Sequence, residues 1–476
     1  MNDPDERPGQ RTIAHSVTIW AARGFAVTDN KAMSGPTDLP RRAVARSARL
    51  AALPLGFAGR TAVGFGKRLG GANADEVQAE IQMRTAEQVF RVLGQLKGGA
   101  MKFGQALSIF EAAFPEELAK PYRQTLTKLQ DAAPPMNVSL VHDRLEESFG
   151  PSWRSKFRSF DDTPAAAASI GQVHRAVWTD GRRVAVKVQY PNAGPAIMSD
   201  LDQLGRMSKL LQPMAPGMDV KPLLAEVRSR LLEELDYTHE AASQREFFAV
   251  YDGHPQIAVP DVVDFTATVL ITEWLEGRPM SRYITSGTQT ERDEVGLQYL
   301  EFLFSGPEQA HMLHADPHPG NYRRLPDGRL GVLDFGAVAH LPDGLPAVMG
   351  RLMRMSLEGD ADGVLRGLIS EGFIKGDVGL DARPVLEYLE PFVEPARHER
   401  FQFNRDWMRS QASRVGDPRN GSWDIGLKIN LPPDYMLVHR VWLGGIGVLC
   451  QLGAEVPVKM LLERWLRGFN EETFTV

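Results

Sequence analysis

A chain of 476 residues, 43% of them hydrophobic and 24% charged, is long enough for a two-lobed globular core with extensions. The net charge of −6 argues against a dedicated nucleic-acid-binding protein. The single cysteine, Cys450, excludes an intramolecular disulfide framework and is compatible with a reduced, cytosolic compartment.

The N-terminal region, residues 1–74, begins with acids and prolines and then becomes basic. Residues 1–38 look like a flexible tail and lack the apolar core of a signal peptide. From Leu39 to Asn73 the chain carries seven basic residues and no acid, with leucine, proline and glycine between them. Such a segment can lie on an anionic membrane surface, or it can be a solvated basic face whose apolar side packs on the protein. Both interpretations stay open.

No charge-free apolar run reaches the roughly 20 residues that a membrane-spanning helix requires. The nearest candidate, Val441–Leu452, is too short and is rich in glycine. We therefore predict a cytoplasmic protein, with a peripheral contact at the inner membrane surface as the form that a membrane association would take.

Residues 75–160 are predicted to form a helical extension in front of the core. Between residues 75 and 130, apolar side chains recur mostly at steps of three and four, which is typical of amphipathic helices. Lys102 and Gln105 are three residues apart on another face of this region, where polar residues alone would indicate a solvated edge.

A region with β-strand patterns follows. The segments His174–Trp178 and Val184–Tyr190 flank a Thr-Asp-Gly-Arg turn and predict a β-hairpin. Alternation along the second strand places its valines on one side and Lys187 on the other. Two further short strands, one of them at Val269–Thr272, complete a lobe that is predicted to span residues 161–275.

The order of strands and helices predicts the fold class. Inside the first lobe, a helix is predicted from Leu223 to about Glu246. Residues 276–476 are predicted to form a mainly helical lobe, interrupted by a hairpin at Pro326–Gly328. Strands first and helices after, with the junction near residue 275, predict an α+β fold of two lobes.

Four segments, in one order along the chain, predict a nucleotide site. The first resembles the phosphate-loop pattern G-x-G-x-x-G-x-V with alanine at its first two glycine positions. Its candidate nucleotide-binding residues are Ala166, Ala167, Ala168, Ser169 and Gly171. The second segment is Val184–Lys187, whose lysine is placed to contact nucleotide phosphates as a compact cation.

The third segment, His314–Asn321, matches the H-x-D-x-x-x-x-N loop of kinases. In that loop the aspartate, here Asp316, orients or deprotonates the acceptor, and the asparagine binds metal. The fourth segment is Leu333–Gly336, whose Asp334 is expected to bind Mg²⁺. Each motif is weak alone, but their order and their placement on strands and loops together favour a Mg²⁺–nucleotide site. His314 is expected to hold the loop rather than to bind a metal.

Three features disagree with an ordinary protein kinase. Alanine in the phosphate loop resists positive φ angles and keeps the backbone away from phosphates. Acids that could pair with the lysine come late, in Glu233–Glu240, where Asp236 and Glu240 would share one helix face and Glu234 would point away. After the fourth motif there is no Ser, Thr or Tyr before Ser356, so a peptide substrate lacks its docking platform and protein-kinase activity is disfavoured.

The combination of motifs resembles the UbiB/AarF/ABC-one family of atypical kinases. Lys102-Phe103-Gly104-Gln105 resembles the family's K-x-G-Q signature, Ala165–His174 its alanine-rich loop, and Glu234-Leu235-Asp236 its E-x-D motif. The resemblance extends to Leu431-Pro432-Pro433 and His439-Arg440 and covers residues 75–470.

The resemblance implies a protein-kinase-like fold whose K-x-G-Q extension lies over the active site and blocks access by peptides. It also implies that ATP or ADP is bound with Mg²⁺ and that Glu240 pairs with Lys187. The candidate catalytic residues are Asp316, Lys187 and Lys102, and the candidate metal ligands are Asn321 and Asp334. Further candidates for nucleotide contacts are Gln105, Glu234, Asp236, Glu240 and, at the junction of the lobes, Glu273 and Leu275.

The function that the resemblance implies is weak ATP hydrolysis in support of ubiquinone biosynthesis or lipid homeostasis, with an isoprenoid lipid or a quinone-biosynthesis complex as partner. The C-terminus resembles the soluble, organellar branch rather than members that end in two membrane helices. Two alternatives stay open. One is a nucleotide-gated module that binds lipids or proteins without phosphotransfer. The other is a small-molecule phosphotransferase, because His314–Asn321 also resembles the H-G-D-x-H-P-G-N loop of aminoglycoside kinases.

Overall fold

The computed structural model describes residues 136–168, 170–191, 194, 235–374, 379–416, 425–426, 428–429 and 432–470. The predicted tail, the basic segment and the extension up to residue 135, with Lys102 and Gln105, therefore lie outside the described residues. Ser169, Glu234 and the first part of the helix predicted from Leu223 lie outside them as well. The described part forms the two lobes of the predicted α+β fold.

The N-terminal lobe is an antiparallel sheet with helices packed against it. Its elements are α1 (Val138–Phe149), β1 (Phe157–Ala167), β2 (Gly171–Trp178), β3 (Arg183–Gln189), α2 (Tyr237–Tyr251), β4 (Ile257–Ala258, which joins the other lobe), β5 (Val262–Phe265) and β6 (Val269–Glu273). The five strands of the sheet have the order β1-β2-β3-β6-β5. The predicted hairpin of β2 and β3 and the two short strands after it are confirmed.

Alternation of apolar and polar residues gives this sheet one buried face. The β3 residues Val184, Val186 and Val188 are completely buried, whereas Lys187 faces the other side. Helix α1 covers the valine face, together with the ring of Trp153. The N-terminal lobe therefore includes α1, which packs on the sheet. The first strand, β1, begins at Phe157, before the predicted start of the lobe at residue 161.

The C-terminal lobe packs helices around short strands. Its elements are β7 (Arg278–Pro279), α3 (Met280–Ser286), α4 (Gln289–Gln309), β8 (Met312–His314), β9 (Tyr322–Arg324), β10 (Leu330–Val332), β11 (Val338–His340), α5 (Ala347–Glu358), α6 (Ala361–Ser370), α7 (Ala382–Val393), β12 (Phe401–Gln402), α8 (Arg405–Gly416), α9 (Pro433–Leu452), β13 (Glu455–Val456) and α10 (Val458–Trp465). One sheet has the order β4-β10-β9-β7, and β8 pairs with β11. The turn between β9 and β10 confirms the predicted hairpin at Pro326–Gly328.

Helix α4 is the central support of this lobe. A capping box fixes its start, since Thr288 Oγ1 accepts from Glu291 N and the Glu291 carboxylate accepts from Thr288 N. Its second half is buried almost continuously and packs against β8, α9 and α10. A helix that is buried all round lies inside a core. The loop that follows β8 therefore begins on a rigid support.

Helix α9 contains the apolar segment Val441–Leu452, and much of it is buried in the core of the lobe. None of the helices in the described ranges is long and apolar enough to cross a bilayer.

Two local features differ from the expectations. Asp236 lies outside the helix as the N-cap of α2, where its carboxylate accepts a hydrogen bond from Thr238 N at 2.9 Å. The expectation that Asp236 and Glu240 share a helix face is therefore wrong, because aspartate is more favourable as a cap than inside a helix. In addition, the short strand β11, which the sequence analysis does not predict, pairs with β8 before α5 begins.

Candidate active site

Lys187 lies on the cleft side of β3 and forms a buried ion pair. Its Nζ donates to Oε1 and Oε2 of Glu240 at 2.7 and 2.8 Å, and it lies 3.5 Å from Oδ2 of Asp334. The exposed fractions of the Lys187 and Glu240 side chains are 13% and 4%. The ring of Tyr237 lies 5.0 Å from the same ammonium. One cation thus connects β3, α2 and the segment after β10.

The charge of Lys187 is maintained by its neighbours. Burial by itself lowers the pKa of the ammonium, because removal from water penalises the charged form. The negative charges of Asp334 and Glu240 act in the opposite direction and prevail, so that the pKa lies above the usual value for a lysine. Lys187 therefore stays protonated throughout the physiological pH range and is a permanent cation in the cleft.

Asp316 and Asn321 form the two ends of the loop after β8. Asp316 is buried, and Asn321 Nδ2 donates to its Oδ2 at 3.0 Å and to its carbonyl oxygen at 3.2 Å. Between them, His318 Nδ1 accepts from Gly320 N at 3.1 Å and fixes a short 3₁₀ turn. The amide of Leu333 then donates to the carbonyl of Asn321. The loop is therefore held from inside and is tied to the strand that leads to Asp334.

Asp334 is fixed by both its side chain and its backbone. Its Oδ1 accepts from Gly336 N at 3.0 Å, and its carbonyl accepts from His314 Nε2 at 2.5 Å. The Tyr322 hydroxyl lies 3.3 Å from the other ring nitrogen of His314 and orients the imidazole. Phe335, which is buried, packs against the His314 ring. The structure thus places His314 where it holds the loop, as expected, and links the loop to Asp334.

The positions of Asp334 and Asn321 fit a magnesium ion that is bound together with nucleotide phosphates. Asn321 uses its Nδ2 to hold Asp316, which leaves its Oδ1 for a cation, and the carboxylate of Asp334 accepts from Gly336 N and lies 3.5 Å from Lys187 Nζ, on the same side of the cleft. Within the described ranges, no group of three or more His, Cys, Asp or Glu residues could hold a metal by itself. Mg²⁺ typically binds through one or two protein carboxylates, with phosphates and waters as the other ligands.

The alanine-rich loop is a paired hairpin rather than an open cradle. Ala166 and Ala167 belong to β1 and pair with β2, and Ala168 N donates to the carbonyl of Gly171 at 2.8 Å. An added Cβ at Gly171 would lie 2.3 Å from the carbonyl oxygen of Val188, so this position requires glycine. Backbone amides near the loop are thus partly used within the hairpin and are less free to bind a phosphate.

Three further predicted residues, Asp236, Glu273 and Leu275, do not contact Lys187 in the described contacts. Asp236 caps α2, one residue before Tyr237, and does not contact Lys187 in the described hydrogen bonds and ion pairs. Glu273 directs its carboxylate to Arg182, at 3.2 Å from Nη1, so a contact from Glu273 to a nucleotide would use its backbone. Leu275 packs against Gly331 of β10 on the floor of the cleft.

Two tyrosines outside the set of predicted residues support the site. Tyr237 faces Lys187, and the buried hydroxyl of Tyr299 on α4 donates to the carbonyl of Pro317 at 2.9 Å, inside the loop. Tyr237 directly follows the E-x-D motif, which is a local signal that could have identified it. For Tyr299 there is no local signal, because its contact depends on how α4 packs beneath β8.

The fold and the site together define a protein-kinase-like class of protein. The fold has a sheet-based lobe and a helical lobe. The site has a lysine paired with a helix glutamate, and an Asp–Asn loop beside an Asp-Phe-Gly segment. The ABC1 atypical kinase-like domain matches residues 128–367, half of the chain, and the chain belongs to this family. This finding confirms the family that the sequence motifs predict.

Several relatives share this similarity. The mitochondrial atypical kinase coq-8 of Caenorhabditis elegans is 29% identical over 72% of this chain and 47% of its own length. The mitochondrial atypical kinase COQ8 of Saccharomyces cerevisiae is 28% identical over 79% of this chain and 75% of its own. The probable serine/threonine-protein kinase abkA of Dictyostelium discoideum is 30% identical over 64% of this chain and 57% of its own length. The chain thus spans about half the length of several of the curated relatives that it matches.

A solved structure is also similar. The Mycobacterium tuberculosis protein Rv3197, in its complex with erythromycin, is 44% identical to this chain, with a TM-score of 0.65. The match covers 84% of this chain and all of that one.

The buried pair of Lys187 and Glu240 can be tested by a double-mutant cycle. Lys187→Met removes the cation beside the buried Glu240 carboxylate and should reduce the free energy of unfolding by about 3–5 kcal/mol. Glu240→Gln should cost less, because Lys187 keeps the carboxylate of Asp334 at 3.5 Å. The double variant should lose clearly less than the sum of the two, as measured by chemical denaturation. Neutralising the exposed pair Arg383–Glu387 on α7 provides the control and should have little effect. Strictly additive losses at Lys187 and Glu240 would contradict the coupling.

Proposed function

We propose that this chain binds a Mg²⁺–nucleotide and acts as an atypical kinase-like ATPase or small-molecule kinase in support of isoprenoid-quinone biosynthesis or lipid homeostasis. One observation carries the proposal. Lys187, Asp334, Asn321 and Asp316 come from distant parts of the chain, and hydrogen bonds and ion pairs hold them around one cleft. Such a group has the parts that phosphoryl transfer requires.

Each residue has a distinct role in this proposal. Lys187 binds phosphate oxygens, with Glu240 fixing the position of its ammonium. Asp334 and Asn321 hold the magnesium ion, which neutralises charge on the phosphates. Asp316, oriented by Asn321, accepts a hydrogen bond from the attacking hydroxyl or water and takes its proton. Lys102 and Gln105 are proposed to complete the site from the extension.

A lipid-like client is proposed instead of a peptide. The segment after Asp334 goes directly through β11 into the turn before α5, and the sequence there has no Ser, Thr or Tyr before Ser356. Relatives named as COQ8 atypical kinases support a place in coenzyme Q biosynthesis. The basic segment Leu39–Asn73 supports a peripheral contact with an anionic membrane. The erythromycin complex of Rv3197 supports a small-molecule ligand in general.

The variant Asp334→Asn tests the catalytic part of the proposal. Loss of the carboxylate removes a metal ligand, so Mg²⁺-dependent release of phosphate from ATP should fall by about 100-fold or more. The matched control is Asp327→Asn in the exposed turn between β9 and β10, where turnover should be unchanged. Unchanged turnover in Asp334→Asn, with normal folding by circular dichroism, would exclude the proposed site.

A second candidate function is a nucleotide-gated binding module without productive transfer. The closed alanine hairpin favours it, because the backbone amides near the loop are partly engaged with β2. If this hairpin restrains the site, Ala166→Gly should change nucleotide affinity or turnover by several-fold, since glycine allows the backbone to approach the phosphates. Ala382→Gly, at the start of α7 in the C-terminal lobe, is the control and should have no effect on either quantity. Calorimetry measures the nucleotide affinity, and phosphate release measures the turnover. If Ala166→Gly leaves both at the wild-type values, the alanine hairpin does not restrain the site.

The pathway is tested in cells. A strain that lacks this chain should accumulate a prenylated quinone precursor, and its mature quinone should decrease. Mass spectrometry of the lipid extract measures both species. Complementation by the wild type, but not by Asp334→Asn, connects the phenotype to the cleft. An unchanged quinone profile would remove the pathway from the proposal and leave the nucleotide chemistry to be judged separately.

A further inference from the structure

Two arginines, one from each lobe, lie at the end of the cleft that is remote from the phosphate site. Along β9, Tyr322 is buried against His314, so the next residue, Arg323, points to the opposite, cleft-facing side. Gly331 of β10 pairs with Arg323, and Leu275 packs against this glycine. Arg323 therefore lies on the cleft floor, directly beside the segment that joins the two lobes.

The position of Arg323 is fixed by that joining segment. Its Nη1 donates to the carbonyl of Gly277 at 3.2 Å, and a Cβ added to Gly277 would lie 3.2 Å from the Cβ of Arg323. Only one of the five guanidinium N–H groups is needed for this hydrogen bond. The side chain is half-buried, so its other donors lie in a partly desolvated place at the cleft floor.

Arg175 approaches the same region from the sheet of the first lobe. It pairs with Ala185 on β3, while Val173, two residues earlier on β2, pairs with Lys187. Arg175 therefore lies on the same face of the sheet as Val173, one step further from the phosphate end. Its guanidinium stacks over the ring of Trp274, at 4.7 Å from the centroid.

The charges in this region are not balanced. Burial lowers the pKa of Arg323, Glu276 raises it, and the positive charge of Arg175 lowers it further. Glu276 itself already accepts hydrogen bonds from Arg183 Nη1 and Trp274 Nε1, at 3.2 and 3.1 Å. Among the described residues, neither Arg175 nor Arg323 has a carboxylate within ion-pair distance. This end of the cleft thus presents donors and positive charge without matching acceptors.

We propose that Arg323, assisted by Arg175, is a specificity-determining residue that selects ligands with an acceptor oxygen at the end opposite the phosphates. The inference rests on the proposed nucleotide function and specifies the ligand. A purine with a carbonyl oxygen at position 6 satisfies a guanidinium, whereas the 6-amino group of adenine presents another donor. An anionic oxygen, such as a phosphate on the ribose, has the same chemistry and is the other source of such an acceptor.

The test compares ligands that differ in one group. ATP and ITP differ at position 6 of the base, where a carbonyl replaces the amino group, and at N1, which carries a hydrogen in ITP. ADP and 2′-phospho-ADP differ only by a ribose phosphate. Calorimetry with Mg²⁺ on the full chain should show that the wild type prefers the acceptor-bearing member of at least one pair by about tenfold. Arg323→Leu should abolish that preference, and Arg323→Lys should retain only part of it, because lysine keeps the charge but lacks the fork. The ligand pair whose affinity ratio changes in Arg323→Leu shows whether the acceptor oxygen belongs to the base or to a ribose phosphate.

The neighbouring variant Arg324→Gln is the matched control. Arg324 is on the same strand but pairs with Glu294 away from the cleft, so its loss should leave both affinity ratios unchanged. If Arg323 only holds the Gly277 carbonyl, Arg323→Leu weakens all four ligands equally and both ratios persist, which overturns the proposal. A wild type without preference in either pair overturns it as well. If the wild type binds none of the four ligands, the proposed nucleotide function itself fails.

Discussion

The arrangement of the two lobes depends on a single buried positive charge. An ammonium removed from water destabilises a fold unless acids surround it, and Lys187 meets this requirement through Glu240 and Asp334. Glu240 comes from α2 and Asp334 from the segment after β10. The contacts that neutralise the lysine therefore also join the sheet, the helix and the floor of the cleft. His314 extends this connection, because it binds the carbonyl of Asp334 from the start of the neighbouring loop.

The central residues of the site could be predicted because they belong to short local patterns. Lys187 lies on an alternating strand, and Asp316 and Asn321 lie in one loop whose prolines exclude a regular helix. Strand parity also predicts which side of β3 is buried, since a one-residue slip would expose its valines. The family motifs add Glu240 as the partner of Lys187, and the structure places it there.

Other features of the site could not be predicted, because they depend on contacts between segments that are distant in sequence and on the exact residue at which a helix or strand begins. Asp236 and Glu240 look equivalent as acids four residues apart, but the helix begins between them, so that one becomes a cap and the other enters the core. Glu273 directs its carboxylate outward because Arg182, on a turn far away in sequence, binds it there. The sequence alone does not show which face of β9 Arg323 occupies. The structure shows it, because Tyr322 is buried and the next residue on the strand points to the opposite face.

The geometry of Lys187 bears on how the proposed nucleotide and metal would bind together. Two of the ammonium N–H groups are directed to the oxygens of Glu240, so the third remains for a phosphate, on the side of Asp334. Among the described residues, the acids Glu240, Asp334 and Asp316 outnumber this one cation at the phosphate end of the cleft. Phosphates alone would meet an excess of negative charge there. A magnesium ion held by Asp334 and Asn321, as proposed, would reverse that balance, so phosphate and metal are expected to bind as one unit.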